Sequence, residues 1–284
     1  MVDPGMQRSR PISGARFRGN RIATIAAAAT ALVGLSAMFS PAQAASTAHA
    51  TDGIQGRDIS VNQGTNYDWQ GVAEAGVKFG QAQATDGLDW TSPAFKQQYK
   101  AIGDAGMYKG AYHFARPHQS GGAEQAQHFV KNGGGWTADG KTLPGMLDLE
   151  PTPSAKTAEE QCYHQSKAQM IRWIDDFRTE YQAETGRLPM IYTTTAWWNQ
   201  CVGDTPEFAD SPLMIAQWGS KTSGQVPQAW GDYDFWQHTE GGAGKSSVAD
   251  RSRFNASSEK LADLASNPQY VPVGRANAQA YLGY

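Results

Sequence analysis

An α/β barrel of about eight strands is the fold this chain predicts, and three observations predict it. Short strand-like runs alternate regularly with amphipathic ones, the order that parallel βαβ units produce. Polar and acidic side chains recur on one face of those strands, so the sheet has an inner surface that is wet at one end. Roughly 220 residues, 45–267, lie between a removable N-terminal leader and a C-terminal tail without a Ser/Pro/Gly-rich linker, which suits one domain.

The leader comes first. Five arginines, Arg8 to Arg21, precede "IATIAAAATALVGLSAMFS", and "PAQA" then ends at Ala44 in a small-x-small cleavage pattern. Residues 1–44 therefore read as a secretory signal peptide. The apolar run is short, rich in alanine and glycine, and followed by no basic stop-transfer cluster, which argues against a permanent anchor. A secreted, extracellular product without stable membrane association after cleavage is expected. Loss of the leader leaves 19 basic and 26 acidic residues, a balance that excludes nucleic acid as a natural partner. The two cysteines, Cys162 and Cys201, read as one disulfide in an exported chain.

The barrel elements follow in order. "RDISV" predicts the first strand, "DWQGVAEAG" a helix and "KFGQAQAT" the second strand. "SPAFKQQYKAIGDAG" predicts a helix with Ser92 as cap, Pro93 in its first turn, and a stripe of Phe95, Tyr99 and Ile102. "KGAYHFA" is a strand, "GGAEQAQHFVKNGG" a helix and "PGMLDLE" a strand. "SKAQMIRWIDDFRTEYQAETG" is the clearest helix, with Met170, Trp173, Ile174, Phe177 and Tyr181 at helical spacing and Gly186 as its stop. "LPMIYTT", "PLMIAQW", "YDFWQHT" and "SSVADRSRF" complete the strands, with progressively less helix between them, and "SSEKLADLAS" is the last helix. The domain is expected over 45–267, and Pro268 to Tyr284 form a tail without periodicity.

In such a barrel, reactive groups collect at the C-terminal ends of the strands. That rule gathers Asp58, Asp148, Glu150 and Asp250 with the aromatics Tyr112, Phe114, Tyr192 and Trp218. In "DLE", Asp148 and Glu150 share one face, while Leu147 and Leu149 point to the other. Pro151 then removes a ladder donor and holds Glu150 extended at the rim. Paired carboxylates in unlike environments are what glycosidic bond cleavage needs, one to donate a proton and one to stay charged. Other chemistries have no support. The six histidines form no zinc-ligand spacing, and the mature chain has no G-x-S-x-G elbow. "GGAGKSS" fails the phosphate-loop pattern at Thr239, and His113 faces away from Tyr112 and Phe114 as a scaffold residue.

Seven pieces in register, "GRDIS.NQG..DW", "GAYHFARP", "NGGGW", "LPGMLDLE", "IYTT..WW", "FWQHT" and "VADRSRFN", carry a resemblance from about Gly53 to Asn267. The chain resembles glycoside hydrolase family 25, the Chalaropsis-type lysozymes. The resemblance implies an incomplete barrel, eight-stranded with fewer helices, that cuts the β-1,4 bond between N-acetylmuramic acid and N-acetylglucosamine in bacterial peptidoglycan. It implies Glu150 as general acid, Asp148 as its partner, Asp58 and Asp250 as further acids of the groove, and Tyr112 and Tyr192 as aromatics that line it. No metal or organic cofactor is implied, and a monomer is expected. Two departures stand out. Gln83-Ala84-Thr85-Asp86-Gly87 replaces the family's Lys-Ala-Thr-Glu-Gly, removing a cation and shortening an acid, and "SVNQG" replaces an aromatic-containing run.

Because Asp148 and Glu150 approach a sugar from the same side, a nucleophile on the opposite face is not easily supplied by that strand. The expectation is that the substrate's 2-acetamido oxygen attacks, with Asp148 orienting it. Asp58 or Asp250 as nucleophile remains the alternative. Two other readings are a catalytically silent sugar-binding protein and a chitin-directed hydrolase.

Overall fold

The computed structural model describes residues 53–241 and 248–276. The expected leader and the tail beyond Ala276 lie outside those residues.

Nine strands form the sheet: β1 (Ile54–Ile59), β2 (Phe79–Asp86), β3 (Trp90–Thr91), β4 (Tyr108–Phe114), β5 (Met146–Asp148), β6 (Met190–Thr193), β7 (Leu213–Ala216), β8 (Phe235–Thr239) and β9 (Asp250–Phe254). Eight of them close a barrel in the order β1, β2, β4, β5, β6, β7, β8, β9 and back to β1, with β3 as an extra strand outside β2. From β1 to β8 the neighbours run parallel, as the βα alternation predicts. β9 runs antiparallel to both β8 and β1. The first strand begins at Ile54, earlier than expected, and Ser60–Gln63 instead form a capped 3-10 turn.

The helices are α1 (Trp69–Glu74), α2 (Phe95–Asp104), α3 (Gly122–Phe129), α4 (Ala158–Gln161), α5 (Lys167–Thr185), α6 (Thr195–Cys201) and α7 (Ser258–Ser266). Their coat is what is incomplete: among the described residues no α-helix lies between β7 and β8 or between β8 and β9. α5 starts on a Ser166 capping box and stops where Gly186 takes a left-handed φ of 77°, as its sequence predicts. α2 departs from expectation. Its N-cap is Ala94, without a side-chain bond, and Ser92 instead gives its backbone N–H to Ala84.

Two apolar layers hold the site in place. Outside the barrel, Leu147, Ile191 and Ile215 pack under Phe129, Ile174, Phe177 and Tyr181. His113 joins this outer layer, bonded through its two ring nitrogens to Thr85 and Gln125 at 2.8 and 2.9 Å. Burial pushes its pKa down to about 4, which keeps the imidazole neutral, the scaffold role its position on β4 predicts. Inside, Phe79, Phe235 and Phe254 interlock with ring centroids about 5 Å apart and fill the end of the barrel where the parallel strands begin. The acids lie at the other end of the barrel, away from this packing.

The start of the tail seals the filled end. Tyr270 donates its hydroxyl to Asp234 at 2.6 Å, the Val273 backbone donates to the same oxygen at 3.1 Å, and Tyr270 is itself buried. Cys162 and Cys201 form a disulfide with Cα atoms 5.2 Å apart. Among the described residues no helix is long and apolar enough to cross a membrane.

Candidate active site

Each acid reaches the open rim by its strand's own alternation. Asp58 is next to last in β1 and Asp148 last in β5, both facing inward and both nearly buried, at 4% and 5% exposure. Sheet bonding runs one residue further, from the Leu149 amide to the Tyr192 carbonyl at 2.9 Å, and Glu150 then stands free of the ladder, partly buried at the lip. Asp250 arrives differently. It opens β9 instead of ending it, and reaches the rim because β9 runs antiparallel, paired directly with Asp58.

Convergence is visible in two tyrosines. Tyr112 and Tyr192 project inward from β4 and β6, and burial raises the pKa of each phenol well above 10, helped by the negative charge of all four acids. Asp58, Asp148, Glu150 and Asp250 therefore border one chamber with these tyrosines as its walls. Trp218 lies just past β7, 38% exposed, with its ring nitrogen bonded into the chamber. Phe114, last in β4, carries the Arg116 guanidinium 4.3 Å from its ring centroid.

Burial sets the protonation of the acids. It pushes the Glu150 carboxyl up to about 7, with Asp250 and Glu240 adding like charge, while Asp148 and Arg116 pull it down. Asp148 is raised well above the ordinary range, first by burial and then by Glu150 and Asp86. Asp58 rises to about 7 through burial, against a hydrogen bond from Ser252. Asp250 is raised by burial, against a 2.6 Å bond from the Gly241 amide. Beside Gln83, Arg116 grips Asp86 through Nε and Nη2 at 2.5 and 2.7 Å, and its charge draws down both Asp148 and Glu150.

Four carboxylic acids whose pKa values are raised by burial stand together at the open rim, an arrangement suited to proton transfer. Among the described residues no group of three or more His, Cys, Asp or Glu is placed to hold a metal ion. The sequence model of glycosyl hydrolases family 25 matches residues 57–246, which span every strand from β2 to β8 and three of the four acids. The chain belongs to this family. It is a glycoside hydrolase.

This family 25 enzyme is 42% identical over 220 residues to lysozyme M1 of Streptomyces globisporus, covering 76% of this chain and 73% of the relative. It is 40% identical over 191 residues to the N,O-diacetylmuramidase of a Chalaropsis species, covering 66% and 88%. The crystal structure of a bacterial lysozyme from Streptomyces coelicolor matches with a TM-score of 0.71 and 42% identity, over 76% of this chain and 98% of that one.

Sequence reasoning missed three residues of the family 25 site. Gln237, inward on β8, accepts from the Tyr192 hydroxyl and the Trp218 indole, both at 2.8 Å, and donates to Asp58 and Asp250, both at 3.3 Å. An indole can only donate, so Trp218 fixes the amide's orientation and turns its NH2 to the aspartates. Ser252, inward on β9, donates to Asp58. Tyr163 donates to the Glu150 carbonyl at 2.7 Å. Of these, Gln237 had a signal: it alternates with the outward Trp236 in "FWQHT".

Cys162 immediately precedes Tyr163, so the bridge adjoins the residue bonded to Glu150. Tyr163 and His164 both take left-handed φ, 56° and 58°, which costs a residue other than glycine about 1–2 kcal/mol each.

Proposed function

We propose that this enzyme is a secreted muramidase that hydrolyses the β-1,4 bond between N-acetylmuramic acid and N-acetylglucosamine in peptidoglycan, with Glu150 as general acid. The single observation that carries the assignment is the Asp148–Glu150 pair: two adjacent acids whose burial holds them partly protonated near neutral pH. Two buried neighbours resist ionising together, so the pair keeps a proton. Glu150, the more exposed of the two and the one at the lip, is placed to give it to the leaving oxygen. Relatives named lysozyme and N,O-diacetylmuramidase at 40–42% identity support peptidoglycan as the substrate.

Asp148, on the same strand and same side, is assigned to orient the substrate's 2-acetamido group while its oxygen attacks the anomeric carbon. The pair Asp58 and Asp250, tied by Gln237, stands on the adjacent strands β1 and β9, across the barrel from β5, and supports the sugar as charge develops. The route retains anomeric configuration and is a recognised exception to the two-carboxylate scheme.

The test is mass spectrometry of fragments released from purified peptidoglycan. New muramic acid reducing ends are expected, and N-acetylglucosamine reducing ends or cleavage of chitin oligomers alone would overturn the assignment. Glu150→Gln should reduce lysis at least about 100-fold with an unchanged circular dichroism spectrum. Because Glu150 donates only when protonated and titrates at about 7, lysis should fall as pH rises past that value.

A further inference from the structure

We infer that Tyr163 is a positioning residue for Glu150, held in place by the Cys162–Cys201 bridge, so that the disulfide serves the site as much as the fold. The inference rests on the assignment of Glu150 as general acid.

Glu150 needs an external hold. It stands beyond the last ladder bond of β5, and the next residue, Pro151, has no N–H with which to extend the sheet. The Tyr163 hydroxyl takes the Glu150 carbonyl at 2.7 Å, while the carboxyl group remains turned to the chamber. This bond fixes the backbone from which the acid projects.

Tyr163 is in turn fixed from three directions. Its ring stacks on His118, with centroids 5.2 Å apart and planes 14° off parallel. Its backbone and that of His164 are consecutive left-handed residues, a conformation that persists in non-glycine residues only where the surroundings over-determine it. The third hold is covalent, through the adjacent Cys162.

That third hold is needed because α4 has only four residues, too few to be helical on its own account. It is clamped to α6 instead. Trp197 donates its indole N–H to the Gln161 carbonyl at 2.8 Å, Gln200 reaches the Ala158 carbonyl at 3.2 Å, and the disulfide closes the same contact. The clamp is part of the outer apolar layer, where Cys162, Tyr163, Trp197 and Cys201 are all buried, so the bridge anchors the Tyr163 turn directly to α6. Cutting the bridge removes the covalent hold on this turn and leaves Tyr163 to its packing and hydrogen bond alone.

The experiment measures kcat and KM on purified peptidoglycan for three proteins: Tyr163→Phe, which keeps the ring and its stacking but loses the hydroxyl, the double variant C162S/C201S, and their combination. Tyr163→Phe is expected to lower kcat about tenfold with KM changed less than twofold, and to move the high-pH limb of the kcat profile. The cysteine variant, folded at assay temperature, is expected to show a similar kcat loss, and the combination no further loss, because the two act on one contact. A Tyr163→Phe kcat within twofold of wild type with an unmoved pH limb overturns the positioning role, and this holds even if the cysteine variant fails to fold. Additive losses in the combination overturn the link to the bridge. A wild-type enzyme that releases no muramic acid ends would instead remove the functional assignment itself.

Discussion

At the level of single residues, the site divides into what alternation reveals and what only closure of the barrel reveals. Asp58, Asp148 and Glu150 were legible because an acid on the wet face of an otherwise apolar strand has few structural explanations. Gln237 was much less so, since a strand glutamine is unremarkable until Asp58, 179 residues away, is brought beside it. Its amide bonds both aspartates, so its replacement has a definite consequence. Gln237→Glu substitutes an acceptor for the NH2 that both carboxylates use and adds a third charge among them. We expect lysis to fall about 100-fold while Gln237→Met, similar in length and neutral, falls less steeply; turbidity clearance would check both, and equal losses would show that charge is not the issue.

Among the elements, β9 and α3 teach opposite lessons. The direction of β9 is not written in its own residues, because alternation is the same read either way. It is written in the connection: about ten residues join Thr239 to Asp250, fewer than the dozen or more a parallel crossover takes. The rule of strand C-termini gathered Asp250 as a residue of the last strand, and it reaches the rim by opening that strand, which runs the other way. α3 is legible as a helix, yet its packing depends on an absent side chain. A Cβ added at Gly122 would lie 2.0 Å from the Trp173 carbonyl oxygen on α5. Backbone cannot move aside as a flexible side chain can, so Gly122→Ala should force α3 and α5 apart. The expected cost is about 1–3 kcal/mol, a fall in Tm of roughly 2–10 °C, with lysis near wild type at 25 °C because no acid moves. Thermal unfolding checks it, and an unchanged Tm would show that the helix pair relaxes freely.

For the whole molecule, the cost of the site is a dependence of stability on pH. Burial raises Asp58 and Glu150 to about 7, Asp234 to about 6, and Asp148 well above the ordinary range, whereas the unfolded chain's carboxyls titrate near the ordinary 3.8 and 4.5. Over the interval between, the folded protein holds protons that the unfolded chain has released, so stability falls as pH rises. His113 and His238, both lowered to about 4 from 6.5 chiefly by burial, act oppositely below pH 6.5, where the unfolded chain binds the extra proton and stability rises with pH. Above pH 6.5 the histidines no longer contribute, and the acids alone set the sign. Tm should therefore decline from pH 6.5 to 8. Asp148→Asn removes one of the strained ionisations while keeping the shape, so it should flatten that decline and raise Tm at pH 8 above wild type by at least about 2 °C, the equivalent of roughly half to one kcal/mol in a domain of this size. The same substitution should abolish most of the lysis, which sets function against stability at one residue. Thermal melts of both proteins at pH 6.5, 7.25 and 8 test this, and a wild-type Tm that stays level or rises across that range would mean that the acids are solvated in the free enzyme and are desolvated only when the glycan closes over them.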